Sequence, residues 1–392
     1  MISTATWEDI LKESKNLISN SNSLKEREEE KLLLEQNEKT KYATIITGVR
    51  RSGKSKMLQR VASKLKNDVY LINFEDERLI NAKVEDLTTL SKLVNLNDST
   101  VVLDEIQNID AWEKWVRRHL EIGKTKFFIT GSNASLLSGE YATLLTGRNK
   151  VITVFPLSFR EYKKHTNRTF EEYLKEGGFP EPVFSSDSAL TQQYKYDILY
   201  KDIISRYKIR EVREIETLFF HILENPGIIA SKKRLGSLVN ISHVTLRKFL
   251  HYFTQTYAVY KIDKYATSTY EKENTPSKTY LVDNGLISKK ESKGRMFESC
   301  IFQELKRNIQ NITYYSTPKH EIDFIANNKA IQVCYELNSE NLEREINPLV
   351  QVKNLEKILI CAYGYENVEI PENIKVISAQ AFLENSGQYL KV

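Results

Sequence analysis

The sequence predicts an α/β protein whose first half is built on a parallel β-sheet. Three observations support this prediction. Short β-branched and aromatic runs recur between residues 43 and 155, helix-like segments separate them, and polar or glycine-containing loops follow them. Fully apolar strands that alternate with helices are typical of a parallel sheet covered on both faces. A winged helix-turn-helix and then a small α/β domain are expected to follow this sheet.

The composition is that of an ordinary soluble protein of two or three domains. The chain has 392 residues, of which 41% are hydrophobic and 28% charged, and its net charge is +5. No secretory signal is visible, and no apolar run reaches the roughly 18 residues that a membrane span needs. The three cysteines, Cys300, Cys334 and Cys361, show no metal-ligand spacing. We therefore expect a cytoplasmic protein without a membrane segment.

The order of patterns along the chain predicts five regions. Residues 1–40 are expected to form a charged, solvated helical lead-in, and residues 41–158 the core that contains the sheet. Residues 159–215 are helical and rich in tyrosine, with a glycine and proline break at 177–182. This segment is either a lid over a ligand or a helical spacer, and the sequence does not decide between them.

Residues 216–290 have the pattern of a winged helix-turn-helix. A first helix ends at Asn225-Pro226-Gly227, a short second helix follows, and Ser242 is placed to cap a third. That third helix puts Leu246, Phe249, Leu250 and Phe253 on one face. Two strand-like runs around a polar loop complete the pattern, and residues 294–392 then form a separate α/β domain.

Residues 48–55 carry a phosphate-binding pattern. They read G-V-R-R-S-G-K-S and match G-x-x-x-x-G-K-[ST] between a predicted strand and a predicted helix. Such a loop surrounds phosphate with backbone N–H groups at the positive end of a helix. We expect a nucleoside triphosphate here, with Lys54 on the β- and γ-phosphates and the Ser55 hydroxyl on Mg²⁺. The expected nucleotide-binding residues are Gly48, Val49, Arg50, Arg51, Ser52, Gly53, Lys54, Ser55 and Lys56.

Two acidic residues follow a later apolar strand. Asp104 and Glu105 end the run that starts at residue 100, and the ends of parallel strands meet at one edge of a sheet. We expect Asp104 to hold Mg²⁺, directly or through water. Glu105 suits a general base that orients the attacking water.

Further polar residues are expected at the same edge. The next strand ends at Ser132-Asn133, where Asn133 is a candidate for contact with the γ-phosphate or the attacking water, although this segment also suits a helix cap. An arginine often neutralises charge in the transition state. Arg50, Arg51 and Arg148 are candidates, and we favour Arg148.

These features together resemble the AAA-type P-loop ATPases of bacteria and archaea whose C-terminal region carries a DUF4143 domain. The resemblance spans nearly the whole chain and rests on residues 46–55, 103–107, 130–133, 146–148, 155–161 and 177–181. It implies a P-loop NTPase core that uses ATP, then a winged helix and a DUF4143 domain with a nuclease-like fold. It implies no settled biological role.

The C-terminal region, residues 294–392, looks like the core of a PD-(D/E)xK nuclease. In that fold an acid on a helix, an aspartate on one strand and E/Q-x-K on the next gather divalent metals. Glu298, Asp323 and Gln332 match in order and spacing, but Cys334 occupies the lysine position. A neutral thiol does not stabilise developing negative charge, and Glu336 adds no cation. We expect a degenerate domain kept for binding or assembly rather than an active nuclease.

The winged-helix region carries a local positive charge. Between residues 229 and 265 there are seven basic residues and one acidic residue, a net charge of +6. Such a surface is typical of nucleic-acid binding, although solvated faces of other proteins resemble it. The candidate DNA-binding residues are Lys232, Lys233, Arg234, His243, Arg247 and Lys248.

The leading hypothesis is therefore a Mg²⁺-dependent ATPase, converting ATP to ADP and phosphate, whose cycle acts on a winged helix that binds double-stranded DNA. Two alternatives remain open. One is a nucleotide-gated switch whose winged helix packs on protein, and the other is an ATP-dependent nuclease. A homo-oligomer is compatible with each of them.

Overall fold

Five parallel strands form the N-terminal sheet in the computed structural model, which describes residues 1–39, 42–134, 149–230, 232–266 and 275–391. The strand order is β2-β3-β4-β1-β5, so β4 lies between β1 and β3. The strands are β1 Ala43–Thr47, β2 Val69–Asn73, β3 Thr100–Asp104, β4 Lys126–Gly131 and β5 Asn149–Thr153. The predicted parallel sheet is confirmed.

Apolar side chains cover both faces of this sheet. Adjacent residues such as Val101 and Val102 point to opposite faces, and each belongs to a different buried cluster. Core residues also come from the helices α1 Thr4–Ser19, α2 Glu29–Lys39, α3 Lys54–Lys64, α4 Val84–Leu93 and α5 Trp112–Ile122. Burial on both sides explains why the strands read as continuous apolar runs rather than alternating ones.

The first forty residues differ from the solvated lead-in that their charge predicted. Trp7 is fully buried, and it packs with Ile10 in the core on one face of the sheet. Arg27 and Glu30, in the charged run, are buried as well. Residues 1–39 are therefore part of the N-terminal unit, which comprises Met1–Phe155 and Gln255–Tyr257.

The second unit, Pro156–Thr254 and Ala258–Val392, opens with helices. These are α6 Phe159–His165, α7 Phe170–Glu176, α8 Pro180–Ser185 and α9 Ala189–Tyr196, which continues into a π-helix at Asp197–Ser205. Next come α10 Val212–Glu224, β6 Ile229–Ala230, α11 Lys232–Val239, α12 His243–Gln255, β7 Val259–Lys264 and β8 Ser277–Leu281. Three helices and an antiparallel strand pair thus occur where the sequence predicted them.

The C-terminal residues complete the same unit. They form α13 Lys293–Asn308, β9 Thr313–Ser316, β10 Glu321–Ala326, β11 Lys329–Glu336, α14 Leu342–Gln351, β12 Glu356–Tyr363, β13 Ile374–Ser378 and α15 Ala379–Leu390. Strands β6 to β13 form one eight-stranded sheet in the order β13-β12-β11-β10-β9-β7-β8-β6. The parallel pairing of β7 with β9 joins the two halves, at Asp263 with Thr313 and Lys264 with Tyr314.

This shared sheet differs from the domain boundaries that the sequence predicted. Residues 216–290 and 294–392 were expected to be separate domains, but they contribute strands to one sheet and fall in one unit. The segment 159–215 belongs to that unit too. Among the described residues, none of the helices combines the length and hydropathy that crossing a bilayer requires.

Candidate active site

The loop between β1 and α3 has a backbone that strongly favours glycine at two positions. Gly48 has a φ of 140°, and a Cβ there would lie 2.1 Å from the carbonyl oxygen of Val154. Gly53, with a φ of 96°, caps the N-terminus of α3. Gly48 therefore lets the loop lie against the backbone of Val154, and Gly53 lets it turn sharply into α3.

The side chains of this loop suit a phosphate group. Lys54 is 4% exposed, and its Nζ donates to the carbonyl oxygens of Gly48 and Val49, each at 2.9 Å. The Ser52 hydroxyl is buried without a hydrogen-bond partner in the described part of the chain. A buried ammonium, an unpartnered hydroxyl and a helix N-terminus together fit an anionic ligand. The residues present thus fit the phosphates of a nucleotide.

Asp104 stands at the end of β3 and contacts the loop. Its carboxylate accepts a hydrogen bond from the Ser55 hydroxyl and another from Thr130 Oγ1, at the end of β4. Burial raises the pKa of Asp104, and the negative charge of Glu105 adds to this, while Ser55, Thr130 and Lys54 oppose it. A buried carboxylate with a raised pKa gains stability from a bound cation. The Ser55 and Asp104 oxygens therefore fit a Mg²⁺ ion.

Glu105 follows at the same edge in a left-handed backbone conformation, with a φ of 55°. Its Oε2 accepts hydrogen bonds from the backbone N and Oγ of Ser132, both at 3.3 Å, and from Nε2 of Gln107. Burial would raise the pKa of Glu105, but the charge of Lys54 and the hydrogen bond from Gln107 outweigh it, and the pKa is lowered. The carboxylate is therefore ionised at neutral pH, as a general base must be.

The remaining residues predicted for this site differ in burial and in contacts. Asn133 is fully buried directly after Ser132. Arg50 forms an ion pair with Glu75 at 3.0 Å, and Arg51 is exposed. Arg148, the favoured transition-state arginine, lies outside the described residues. The choice among the three arginines stays a prediction.

The structure also shows contacts that the sequence reasoning missed. Arg27 donates from Nη1 to the Ser52 carbonyl oxygen and from Nη2 to that of Phe155, both at 2.7 Å. Thr130 links the two acids, since its Oγ1 donates to Asp104 and accepts the backbone N–H of Glu105 at 3.0 Å. Arg27 lies in a charged run and carries no local signal of burial.

The candidate DNA-binding residues lie on or beside α11 and α12. Arg234, His243, Arg247 and Lys248 are exposed, as the predicted helix face requires. The side chains of Lys232 and Lys233 are outside the described part of the structure. Leu246, Phe249 and Phe253 are buried on the opposite side of α12.

Two of the three candidate metal ligands of the C-terminal region, Glu298 and Asp323, lie around a lysine, and the third, Gln332, contacts Asp323. Nζ of Lys278, on β8, lies 3.0 Å from Glu298, 2.6 Å from Glu321 and 3.3 Å from Asp323. Gln332 accepts the backbone N–H of Asp323 at 3.3 Å. Burial and the charge of Glu298 raise the pKa of Asp323 to about 8, against the opposing charge of Lys278.

This arrangement does not favour metal binding by the three candidate ligands. Lys278 is 1% exposed, and its ammonium occupies the middle of the acidic cluster. Among the described residues, no group of three or more histidine, cysteine or acidic side chains is arranged to hold a metal ion. A lysine from β8 was not foreseen, because that strand precedes the predicted nuclease-like domain in the chain.

Two family models match the chain. One, described as an AAA domain, matches residues 40–163, and a domain of unknown function (DUF8612) matches residues 167–293. The expected DUF4143 domain is therefore wrong, and these matches do not support a nuclease-like fold for residues 294–392.

Two curated proteins resemble most of the chain. The uncharacterized protein MJ1544 of Methanocaldococcus jannaschii is 33% identical over 88% of both chains. An uncharacterized protein of Haemophilus influenzae is 30% identical over 93% of this chain and 98% of its own.

Solved structures resemble the chain only distantly. The Walker-type ATPase PABY2304 of Pyrococcus abyssi is 15% identical, with a TM-score of 0.44 over 67% of this chain and 94% of its own. The RuvB Holliday junction branch migration motor of Thermotoga maritima is 12% identical, with a TM-score of 0.32 over 67% of this chain and 92% of its own.

Proposed function

Because this chain belongs to the same family as the M. jannaschii and H. influenzae proteins and its residues 40–163 match an AAA domain, we propose that it is a Mg²⁺-dependent ATPase that converts ATP to ADP and phosphate. One observation carries the proposal. The Ser55 hydroxyl donates to the Asp104 carboxylate, so that the phosphate loop and the acidic strand end meet, with Lys54 and Glu105 adjacent.

Each residue of this site has a distinct task. Lys54 exchanges its two carbonyl contacts for phosphate oxygens, and the backbone N–H groups at the start of α3 bind the same phosphates. Bound Mg²⁺, held by Ser55 and Asp104, would neutralise negative charge on the phosphates. Glu105 takes a proton from the attacking water, and Asn133 supports the γ-phosphate or that water.

The test is ATP turnover by the purified chain with Mg²⁺. Lys54→Ala is expected to abolish binding or turnover, and Glu105→Gln to keep nucleotide binding while turnover falls by about 100-fold or more, the usual effect of losing a general base. Lys66→Ala, which changes an exposed lysine just after the C-terminal end of α3, is the matched control and should behave as the parent. Parental turnover by the Lys54 variant would refute the site assignment.

We further propose that α10, α11, α12 and the β7–β8 pair form a winged helix that binds double-stranded DNA. The exposed basic residues of α12 and the local net charge of +6 support this. Each lysine or arginine that neutralises a phosphate releases a counterion, so binding must weaken as salt is added.

This second proposal is tested with a charge-reversal pair. Arg247→Glu with Lys248→Glu should lower affinity for duplex DNA and reduce the slope of log affinity against log salt by about 2, one for each phosphate contact. The control pair Lys353→Glu and Lys391→Glu makes the same change at exposed sites elsewhere in the unit. If the parent fails to bind DNA even at low salt, the alternative of a nucleotide-gated switch that acts on a protein partner is favoured.

A further inference from the structure

Gln107 lies in a short turn directly after Glu105. The turn is a 3₁₀ helix, Ile106–Asn108, in which Ile106 is fully buried in the core of the N-terminal unit. Asn108 donates from Nδ2 to the Phe74 carbonyl oxygen at 3.1 Å. These two anchors hold the backbone of Gln107 in one position beside the acid pair.

The amide of Gln107 is only half satisfied. Its Nε2 donates to Glu105 Oε2, whereas its Oε1 is buried and has no hydrogen-bond partner within the described part of the chain. Turning the amide over would set its oxygen against the carboxylate, so the observed orientation is the favourable one. A buried amide oxygen that accepts no hydrogen bond destabilises the protein. We therefore expect it to accept one when nucleotide and water are bound.

The carboxylate of Glu105 is tethered on one side. Its Oε2 receives three hydrogen bonds, from Gln107 Nε2 and from the N and Oγ of Ser132, and Oε1 takes part in none of these bonds. A water molecule that attacks phosphorus carries two hydrogens, and orienting it requires two acceptors. Glu105 Oε1 provides one acceptor, and the unpartnered amide oxygen of Gln107 provides a second.

We propose that Gln107 positions the attacking water together with Glu105. This inference rests on the ATPase function proposed above. In the step, the water oxygen forms a bond to the γ-phosphorus, and the bond from that phosphorus to the β–γ bridging oxygen breaks and leaves its electron pair on ADP. Glu105 Oε1 takes one proton of the water, while Gln107 Oε1 accepts a hydrogen bond from the other.

The test compares Gln107→Met, which has similar length without polar atoms, with the parent. We expect kcat to fall by about 10- to 100-fold, because the variant lacks both the acceptor for the water and the hydrogen bond to the charged Glu105 carboxylate. The KM for ATP and the Kd for ADP should change by no more than about twofold, because the ground state does not use this contact. Affinity for ADP with aluminium fluoride, a mimic of the transition state, should fall as kcat does.

Two further variants and thermal melting complete the test. Gln107→Glu keeps an acceptor but loses the donor to Glu105, and it should lower kcat as well. Gln192→Met makes the same change at an exposed glutamine of the second unit and should retain parental kcat. A folded Gln107→Met variant with parental kcat, or one that loses ADP binding in parallel, would overturn the inference. An inactive parent would instead refute the ATPase proposal itself.

Discussion

The burial of Arg27 is the opposite of what its local sequence predicts. It belongs to a highly charged run, yet its side chain is 4% exposed, and its guanidinium spans the carbonyl oxygens of Ser52 and Phe155. Buried guanidinium groups are stable only when hydrogen-bonded. Arg27 therefore fixes the phosphate loop to the residues that follow β5, within the N-terminal unit.

Replacing Arg27 by methionine should lower the free energy of unfolding of this unit by about 2–4 kcal/mol, because two buried carbonyl groups lose a charged donor. Nucleotide affinity should fall as well, since Ser52 lies inside the loop. Urea unfolding and ADP titration measure the two effects. Arg117→Met removes an exposed arginine paired with Glu121 and should cost no more than about 0.5 kcal/mol. Equal losses in both variants would contradict the role of Arg27.

At the scale of elements, one carboxylate holds two turns of the second unit together. Asp283 follows β8, and its two oxygens accept the backbone N–H groups of Gly178 and Gly285, each at 2.7 Å. Gly177, beside the first of these, has a φ of 80° and would clash with Asp283 if it carried a Cβ. The glycine break at 177–178 thus exists to admit this contact.

The same carboxylate should make the unit's stability depend on pH. Burial raises the pKa of Asp283 from 3.8 to about 6, although the hydrogen bonds from Gly178 and Gly285 oppose it. The folded state then binds the proton more tightly than the unfolded state. Asp283 therefore contributes about 3 kcal/mol to the free energy of unfolding at a pH below its unfolded pKa. This contribution is lost as pH rises through about 6.

Urea unfolding of the parent and Asp283→Asn between about pH 4 and pH 7 tests this prediction, since the amide does not titrate in that range. The stability of the parent relative to the variant should decline as pH rises. A difference that stays constant across the range would show that Asp283 titrates alike in the folded and unfolded chains.

At the scale of the whole molecule, the eight-stranded sheet makes the folding of residues 216–290 depend on the C-terminal residues. Its strands β7 and β9 pair across the boundary that the sequence predicted at residues 290–294. Lys278, on β8, finds its carboxylate partners on α13 and β10, beyond that boundary. The strands of the proposed winged helix therefore depend on the C-terminal residues for both pairing and charge compensation.

A chain that ends at residue 290 should consequently keep the N-terminal sheet but lose protection of the β7 and β8 amides, because β7 gains an unpaired edge and Lys278 loses its three carboxylate partners. Hydrogen exchange read strand by strand distinguishes the two regions. Native protection of β8 in the shortened chain would show that residues 216–290 fold independently.

The parallel sheet, the phosphate loop and the meeting of Ser55 with Asp104 are predictable from the sequence alone. Each of these follows from local pattern: apolar runs define strands, glycines allow the loop, and the ends of parallel strands meet at one edge. Gly48, Lys54, Asp104 and Glu105 could therefore be placed without coordinates, as could the outward face of α12.

The distant groups that complete those patterns are visible only in the folded protein. Arg27 reaches Ser52 and Phe155 across 25 and 128 positions, and Lys278 enters an acidic cluster from a strand outside the expected domain. The β7–β9 pairing likewise joins residues 216–290 and 294–392, which the sequence pattern assigns to separate domains. Such contacts depend on how complete elements pack, and local residue patterns carry no record of that packing.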